Sequence, residues 1–278
     1  MMIHTYEYDI DLDGDLAPAR VLRMIKPGSR VLEIGAGPGS MTKHLLGTLG
    51  CEVIAIEVEK TALEKLRVLC PTVYECDLNN PSWVDEIYSK EGLFDYVIAA
   101  DVLEHLYDPD TVLGGMKKLL TPTGSVVLSL PHVGHAGLLG CLVDEDMAYG
   151  PWGLLDRTHI RFFGIKNVQS LHSSQGLAIE EAQFVVRPPV TTEFTSYWDR
   201  LPAVVQDALQ LNRFSHVYQV VCRSVPAERG RNHLDLMCQP VVPPDAATTR
   251  IWTEIMASQP IDSSRDSRST IAERSKVS

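Results

Sequence analysis

A glycine-rich turn with the sequence VLEIGAGPGS, at residues 31–40, is the first place in this chain where ligand chemistry is expected. An apolar run leads into three glycines at alternate positions, as in nucleotide-binding α/β proteins. Ser40 stands where the dinucleotide pattern G-x-G-x-x-G needs its third glycine, and Glu33 stands two residues before the first glycine. Glu33 is therefore the feature that most clearly distinguishes this turn from a dinucleotide-binding turn.

The charge of Glu33 predicts the charge of the ligand. A dinucleotide would bring a doubly charged diphosphate to this turn, where a carboxylate would repel it. S-adenosylmethionine would instead bring an α-ammonium and a sulfonium, which a carboxylate attracts directly or through water. The turn therefore favours S-adenosylmethionine and disfavours a nicotinamide-type Rossmann oxidoreductase.

Further acids are expected at the ends of the next three strands. Glu57 can accept both hydroxyls of a ribose, a role common to several cofactors. Asp77 can accept from an adenine amine, beside the backbone N–H of Leu78. Asp101 either lines the pocket or N-caps a helix, with Glu104 three residues later completing a capping box. Both alternatives for Asp101 stay open.

Alternating strand and helix patterns over the first 120 or so residues predict how these acids are positioned. They indicate parallel β-α-β units in a doubly wound, mostly parallel, seven-stranded Rossmann-like sheet whose last strand, HVYQVVCRS, is antiparallel. Ligands of such sheets bind beyond the carboxyl ends of the strands. TPTG is expected to be a turn, and SYWDRLPAVVQDALQL a single amphipathic helix.

Together these motifs resemble those of the class I S-adenosylmethionine-dependent methyltransferases. The matching segments, within about residues 20–225, are VLEIGAGPGS, AIEVEK, CDLNN, FDYVIAADVLEHLYDP and LLTPTGSVVLSLP. The resemblance implies these cofactor contacts: Glu33, Gly35, Ala36, Gly37 and Gly39 on the methionine side, Glu57 at the ribose, Asp77 and Leu78 at the adenine, and Asp101 and Val102 at the floor. S-adenosylhomocysteine would be the product.

The segments SLPHVGH and AYGPWGLLDRTHIRFF look like those of a methyltransferase subgroup linked to glycan and small-metabolite biosynthesis. His132 stands where that subgroup has Asn. The likeness implies O-methylation of a sugar, glycan precursor or other small metabolite. Alternatives are a phenol or quinone O-methyltransferase, a small-molecule N-methyltransferase, a Rossmann oxidoreductase, and a cofactor-binding protein without turnover.

Methylation of a hydroxyl requires alignment of the acceptor and removal of its proton. Imidazole suits that task, because its pKa lies near neutrality. We expect His135 to be the base and His159, held by Asp156, to be a second base or an acceptor-orienting group. The alternative for either histidine is a bond to a backbone carbonyl that holds the loop, and His105 is expected to be a packing residue.

Neighbouring side chains complete the expected site. Four aromatic residues could form an apolar wall for the acceptor, with one of the two adjacent phenylalanines facing the core: Tyr149, Trp152, Phe162 and Phe163. Arg161 is expected to pair with an acid such as Asp156. A metal site built from Asp156, His159 and other strand-end acids stays an alternative, but the sequence spacing gives it little support and magnesium prefers oxygen ligands, so no metal ligand is assigned.

Composition limits the possible partners. The formal net charge of −11 argues against binding to nucleic acid or to an anionic membrane surface. No apolar run approaches the roughly 18 residues of a membrane span, and the acidic N-terminus is unlike a secretory signal. Six scattered cysteines without a C-x-x-C pair predict reduced thiols and a cytoplasmic location. A small-molecule acceptor is expected, and a homo-oligomer stays open.

The composition shifts near residue 226 towards Pro, Ser, Thr, Arg and Asp. We therefore predict a catalytic domain over residues 1–225 and a low-complexity, flexible extension over residues 226–278. A short helix near TRIWTEIMA is compatible with the pattern.

Overall fold

The computed structural model describes residues 7–242, at the centre of which is a seven-stranded sheet. The strands are β1 (Arg30–Ile34), β2 (Glu52–Glu57), β3 (Thr72–Glu75), β4 (Phe94–Ala100), β5 (Leu120–Pro131), β6 (Leu177–Val186) and β7 (Val217–Pro226). Their order is β3-β2-β1-β4-β5-β7-β6. Strands β1 to β5 pair in parallel, whereas β7 runs antiparallel to both of its neighbours. The predicted mostly parallel sheet with an antiparallel last strand is confirmed.

Helices of six to ten residues connect and cover these strands. The helices are α1 (Ala17–Arg23), α2 (Thr42–Gly47), α3 (Lys60–Leu69), α4 (Trp83–Glu91), α5 (Pro109–Lys118), α6 (Ala136–Val143), α7 (Ile165–Ser174), α8 (Thr195–Arg200) and α9 (Ala203–Gln210). Short 3₁₀ turns span Leu103–His105, Pro189–Thr191 and Leu236–Cys238. No helix within residues 7–242 is long and apolar enough to cross a membrane.

The central strands are buried on both faces. Adjacent residues of β1, Val31 and Leu32, belong to different core clusters, and so do Val97 and Ile98 of β4. Side chains alternate across a strand, so each strand contributes to a helix-covered layer on either side of the sheet. This explains why these segments are continuous apolar runs in the sequence.

The order of strands brings the predicted motifs together. From β1 the chain passes to β2 on one side, while β4 lies on the other side of β1. The carboxyl ends of β1 and β4 are therefore neighbours at the point where the strand order reverses, which is the usual ligand crevice of such sheets. The glycine turn and the residues after β4 meet there.

Two local predictions were wrong. The expected single helix after residue 195 is divided into α8 and α9, because Pro202 has no N–H to donate and holds Leu201 in an extended conformation with ψ 138°. The TPTG segment, expected as a turn, lies within β5, where the pairing with β4 shifts register between Phe94 and Tyr96.

The chain beyond β7 remains attached to the domain as far as residue 242. The Leu236 side chain is completely buried in the larger core cluster, and its N–H donates to Gln169 Oε1 at 2.9 Å. Arg213 Nη1 donates to the carbonyl of Met237 at 3.0 Å. The remainder of the predicted extension, including the helix expected near TRIWTEIMA, lies outside the described residues.

The packing of this segment predicts a difference between two Leu→Ala substitutions. We expect Leu236→Ala to lower the free energy of unfolding by about 2–4 kcal/mol, because it leaves a cavity in the core. Leu142→Ala, at a position 52 % exposed on α6, should cost less than about 1 kcal/mol. Urea denaturation of both variants measures the difference, and equal effects would contradict the packing of residues 236–238.

Candidate functional site

The glycine turn after β1 is fixed by backbone bonds to β2. The N–H groups of Gly35 and Ala36 both donate to the carbonyl of Ile56, at 2.8 and 3.1 Å. Gly35 has a φ of +66°, and a Cβ at this position would lie 2.6 Å from Cγ2 of Val102. A side chain here would push the turn away from the residues that follow β4, so glycine is required for their close approach.

The next glycine of the turn faces open space. Gly37 has a φ of +56°, and a Cβ placed on it would meet no atom within 4 Å. A backbone exposed in this way allows a ligand to approach closely. Gly39 donates its N–H to the carbonyl of Ala36 at 3.1 Å, which completes the turn just before α2.

Glu57, at the end of β2, shapes the turn from the other side. Its Oε2 accepts the N–H of Gly37 at 2.7 Å, and its Oε1 accepts the N–H groups of Val58 and Glu59 at 2.7 and 2.8 Å. The carboxylate is buried. In addition to its predicted contact with a ribose, this residue is therefore a brace between β2 and the glycine turn.

Glu33 is a buried carboxyl at the entrance of the turn. Thr42 Oγ1 donates to its Oε2 at 2.7 Å. Burial raises the pKa of Glu33 to about 7; Glu57 acts in the same direction, and the bond from Thr42 opposes it. A cation brought close to this group would therefore favour its ionised form.

The residues after β3 occupy a different environment. The Asp77 side chain is exposed, and its Oδ1 accepts the backbone N–H and the side-chain amide of Asn79, both at 2.9 Å. Leu78 turns inward and is buried in the larger core cluster. Asp77 thus closes a tight turn while its carboxylate remains accessible to a ligand.

Asp101, directly after β4, has an unusual backbone conformation. Its φ is +55°, which is uncommon for a residue with a side chain. Ser129 Oγ donates to its Oδ1 at 2.8 Å, and Gln219 Nε2 donates to its Oδ2 at 2.7 Å. Burial raises the pKa of this carboxyl. The strained conformation is held by side chains from β5 and β7.

Of the two alternatives left open for Asp101, the capping box does not match the structure. Val102 is the N-cap of the 3₁₀ turn and makes no capping bond with its side chain, and Asp101 is bonded elsewhere. The side chain of Glu104 is fully buried, and neither carboxylate oxygen has a hydrogen-bond partner among the described residues. Burial, with the charges of Asp101 and Asp156, raises its pKa well above the ordinary value. Sequence reasoning missed Glu104 because its spacing from Asp101 also fits a cap.

His159 faces this carboxyl. Its Nε2 lies 3.8 Å from Glu104 Oε1, and its ring stands edge-on to the ring of His105, with centroids 4.7 Å apart. Its Nδ1 lies 3.2 Å from the carbonyl of Leu154, to which it donates. Burial lowers the pKa of His159, and His105 acts in the same direction. The ring is therefore held neutral with Nε2 as its acceptor nitrogen.

Asp156 positions this pair of histidines through a neighbour. Its Oδ1 accepts the N–H and the hydroxyl of Thr158 at 2.8 and 2.6 Å. The carbonyl and the hydroxyl oxygen of Thr158 lie 3.2 and 3.0 Å from Nδ1 of His105. Asp156 thus fixes the loop that presents both rings. The ring of His159 is oriented by the carbonyl of Leu154 rather than through the expected bond to Asp156.

The geometry of His135 disagrees with its predicted role as the base. The residue is 0 % exposed, and it is the N-cap of α6: its Nδ1 accepts the N–H of Gly137 at 3.2 Å. Its Nε2 donates to the carbonyl of Arg187 at 2.7 Å. Burial lowers its pKa to about 3. Both ring nitrogens are occupied by backbone groups, which was the structural alternative for this residue.

The expected aromatic wall is present in part. Phe163 is buried in the core, whereas Phe162 is 43 % exposed, so one of the pair faces inward as expected. Phe162 and Leu154 line a small apolar cavity. Tyr149 and Trp152 are about half exposed.

Arg161 does not make its expected pair with Asp156. The guanidinium donates instead to the carbonyls of Ile160 and Tyr107, at 3.0 and 2.5 Å. It therefore fastens the loop that carries His159 to the segment after β4.

Comparison with known proteins identifies the family to which most of this chain is similar. Residues 6–182, more than half of the chain, match the model of a family described as "Methyltransferase domain". A relative named ubiquinone biosynthesis O-methyltransferase, from Xanthomonas campestris pv. campestris strain B100, is 30% identical over 131 residues, which are 43% of this chain and 54% of the relative. This chain thus spans about half the length of the curated relatives it matches.

Solved structures share the fold. An S-adenosylmethionine-dependent methyltransferase from Archaeoglobus fulgidus superposes with a TM-score of 0.53 and 17% identity, covering 74% of this chain and 91% of that protein. Another, from Mesorhizobium loti, has a TM-score of 0.50 and 17% identity, covering 77% and 99%. The family match over residues 6–182 shows that this chain belongs to the methyltransferase domain family.

Proposed function

We propose that this enzyme methylates the hydroxyl of a phenol or quinone-precursor type of small molecule. The observation that carries the proposal is a group of three residues, Glu104, His105 and His159, which we call the acceptor cluster. It begins two residues after Val102, the residue against which Gly35 packs. The acceptor cluster therefore lies beside the turn that holds the methyl donor.

The residues around the glycine turn fit the cofactor. Gly37 leaves space for close approach, and Glu33 provides a carboxylate for the cationic methionine end. We assign the remaining contacts as the sequence predicts them, with Glu57 at the ribose, Asp77 beside the adenine and Asp101 at the floor. When bound, the cofactor supplies an electrophilic methyl group. The protein has to align an acceptor oxygen with that group and assist its ionisation.

The basicity of His159 favours a phenol over a sugar. Burial lowers the pKa of His159, so its imidazole is a weaker base than free histidine. A phenol ionises near pH 10, as tyrosine does, whereas an aliphatic hydroxyl is a far weaker acid. Nε2 of His159 can receive the proton of a phenol, or orient its hydroxyl. The difference in pKa between the imidazole and a phenol is much smaller than that between the imidazole and a sugar hydroxyl.

The surroundings of the acceptor cluster agree with an aromatic acceptor. Phe162 and Trp152 are exposed on the segment that carries His159, and Phe162 borders the apolar cavity beside Leu154. The curated relatives are named for a quinone pathway, which supports the phenol alternative better than the sugar acceptor expected first. Sugar hydroxyls and amines remain the comparison classes of the substrate test.

A methyl-transfer screen tests the proposal. The purified enzyme is incubated with tritium-labelled S-adenosylmethionine and matched panels of phenols, sugar nucleotides and amines. We expect labelled product from the phenol panel, with kcat/KM at least tenfold above the other panels. Turnover confined to sugars or amines would overturn the proposed acceptor class and leave the methyltransferase assignment intact.

The raised pKa of Glu33 predicts pH-dependent cofactor binding. A cationic ligand binds the ionised carboxylate, so affinity should rise as Glu33 loses its proton. Between pH 5.5 and 7 the ionised fraction of a group with a pKa of about 7 rises from about 3 % to about 50 %, which is more than tenfold. The α-amino group of the ligand stays mostly protonated in this window. We expect affinity for S-adenosylmethionine to rise about tenfold, with release of a proton.

Isothermal titration calorimetry in buffers of different ionisation enthalpy measures both effects. Glu33→Gln should bind more weakly at pH 7 and lose the pH dependence. Glu52→Gln, at an exposed position paired with Arg30, should behave as wild type. An affinity of the wild-type protein that does not change between pH 5.5 and 7 would contradict the role of Glu33.

Two histidine substitutions should affect different properties. We expect His159→Ala to lower kcat by about 10²-fold, because the hydroxyl loses the group that activates it, with unchanged affinity for the cofactor. His135→Ala removes a helix cap and a buried hydrogen bond, so it should lower the free energy of unfolding by about 2–4 kcal/mol. Steady-state kinetics measures the kcat of each variant, and urea denaturation measures its free energy of unfolding. A large loss of kcat in fully folded His135→Ala would restore the predicted role of His135 as the base.

A further inference from the structure

The acceptor cluster has the composition of a metal site. One ligand atom from each of Glu104, His105 and His159 can be chosen so that all three lie within 4.8 Å of one another. Two imidazoles and one carboxylate are ligands that suit zinc and other first-row transition metals better than magnesium. Sequence spacing did not predict this site, because His159 lies 54 residues after His105 and is brought to it by the loop following β5.

The buried carboxylate of Glu104 is the strongest sign of a missing partner. It is 0 % exposed and both oxygens lack hydrogen bonds among the described residues. Buried polar groups are normally bonded, and a buried charge without a partner is costly. Two further acids, Asp101 and Asp156, act on it electrostatically. A cation placed among these groups would offset the cost of collecting them at one buried place.

The two histidines are oriented in the manner typical of metal ligands. Nδ1 of His159 donates to the carbonyl of Leu154, and Nδ1 of His105 faces the carbonyl and hydroxyl oxygens of Thr158. These bonds place the proton on Nδ1 and leave Nε2 of each ring with a free lone pair. Metal-binding histidines commonly have their second nitrogen fixed by such a carbonyl.

The separations allow a cation to enter with small movements. Nε2 of His159 and Oε1 of Glu104 are 3.8 Å apart. Two ligands in a tetrahedral zinc site, each about 2.0 Å from the metal, are about 3.3 Å apart. A shift of about half an ångström would bring this pair to that spacing. Three protein ligands leave the fourth position for a substrate oxygen, as in catalytic zinc sites.

We propose that Glu104, His105 and His159 bind a divalent transition-metal cation such as Zn²⁺, which takes the acceptor hydroxyl as its fourth ligand. The site stands on these three residues alone, whereas its catalytic use rests on the proposed function. With the cation bound, Nε2 of His159 is a metal ligand and no longer the acceptor of the substrate proton. The cation lowers the pKa of the bound hydroxyl, whose proton leaves to water. The acceptor oxygen then forms the new O–CH₃ bond as the S–CH₃ bond breaks, with the bonding electron pair going to sulfur.

Metal binding can be measured without a substrate. Protein treated with EDTA and then freed of the chelator is titrated with Zn²⁺ by calorimetry, and with Co²⁺ by visible absorption. We expect one site per chain with micromolar or tighter affinity and the absorption of tetrahedral Co²⁺. Glu104→Gln and His159→Ala should each weaken Zn²⁺ binding at least 100-fold. His233→Ala, an exposed histidine outside the cluster, should leave it unchanged.

Thermal melting without metal and titration with S-adenosylmethionine verify that each variant is folded. Absence of a saturable site in the wild-type protein up to 100 µM Zn²⁺, or a site that survives both cluster substitutions, would overturn the inference. Methyl transfer that is unchanged after chelation would overturn the catalytic use of the cation and leave His159 as the activating group. A metal site in a protein that methylates no hydroxyl would instead overturn the proposed function.

Discussion

Buried carboxyl groups at the carboxyl edge of the sheet are the constraint on which the rest of this site depends. Glu33, Asp101, Glu104 and Asp156 carry carboxyl groups that are buried or largely so. Burial of several acids together is unfavourable unless hydrogen bonds or positive ligands compensate. Three of them accept hydrogen bonds from hydroxyl or amide groups, and Glu104 does not. The site thus has a built-in preference for positively charged ligands at two neighbouring places.

These two places are formed by different segments of the chain. The place beside Glu33 is formed by the β1 turn and the end of β2, which lie close together in the sequence. The place beside Glu104 depends on the loop between α6 and α7, because that loop carries His159, whose Nε2 lies 3.8 Å from Glu104, and Asp156. The residues to which we assign cofactor binding and those to which we assign acceptor activation therefore come from different parts of the sequence.

The sequence predicted the fold and the glycine turn well, but it did not predict the contacts of His135 and Glu104. The mostly parallel sheet with its antiparallel last strand, the glycine turn and the position of Glu33 follow from short-range patterns, in which each element is indicated by its own residues. The roles of His135 and Glu104 depend on contacts with residues far along the chain, such as Arg187 and His159. Sequence spacing alone could not show that His135 caps a helix, or that Glu104 is buried with no hydrogen bond to its carboxyl oxygens from the described residues.

Strand β7 has a consequence for how such enzymes diverge. The family match ends at residue 182, yet Gln219 of β7 donates a hydrogen bond to the carboxylate of Asp101, a residue within the matched segment whose backbone has a positive φ. Because β7 runs antiparallel to β5, it brings the side chain of Gln219, from outside the residues that the family model matches, to Asp101 at the carboxyl end of β4. A substitution at Gln219 would therefore change the hydrogen bonding of Asp101 without altering any residue of the segment that identifies the family.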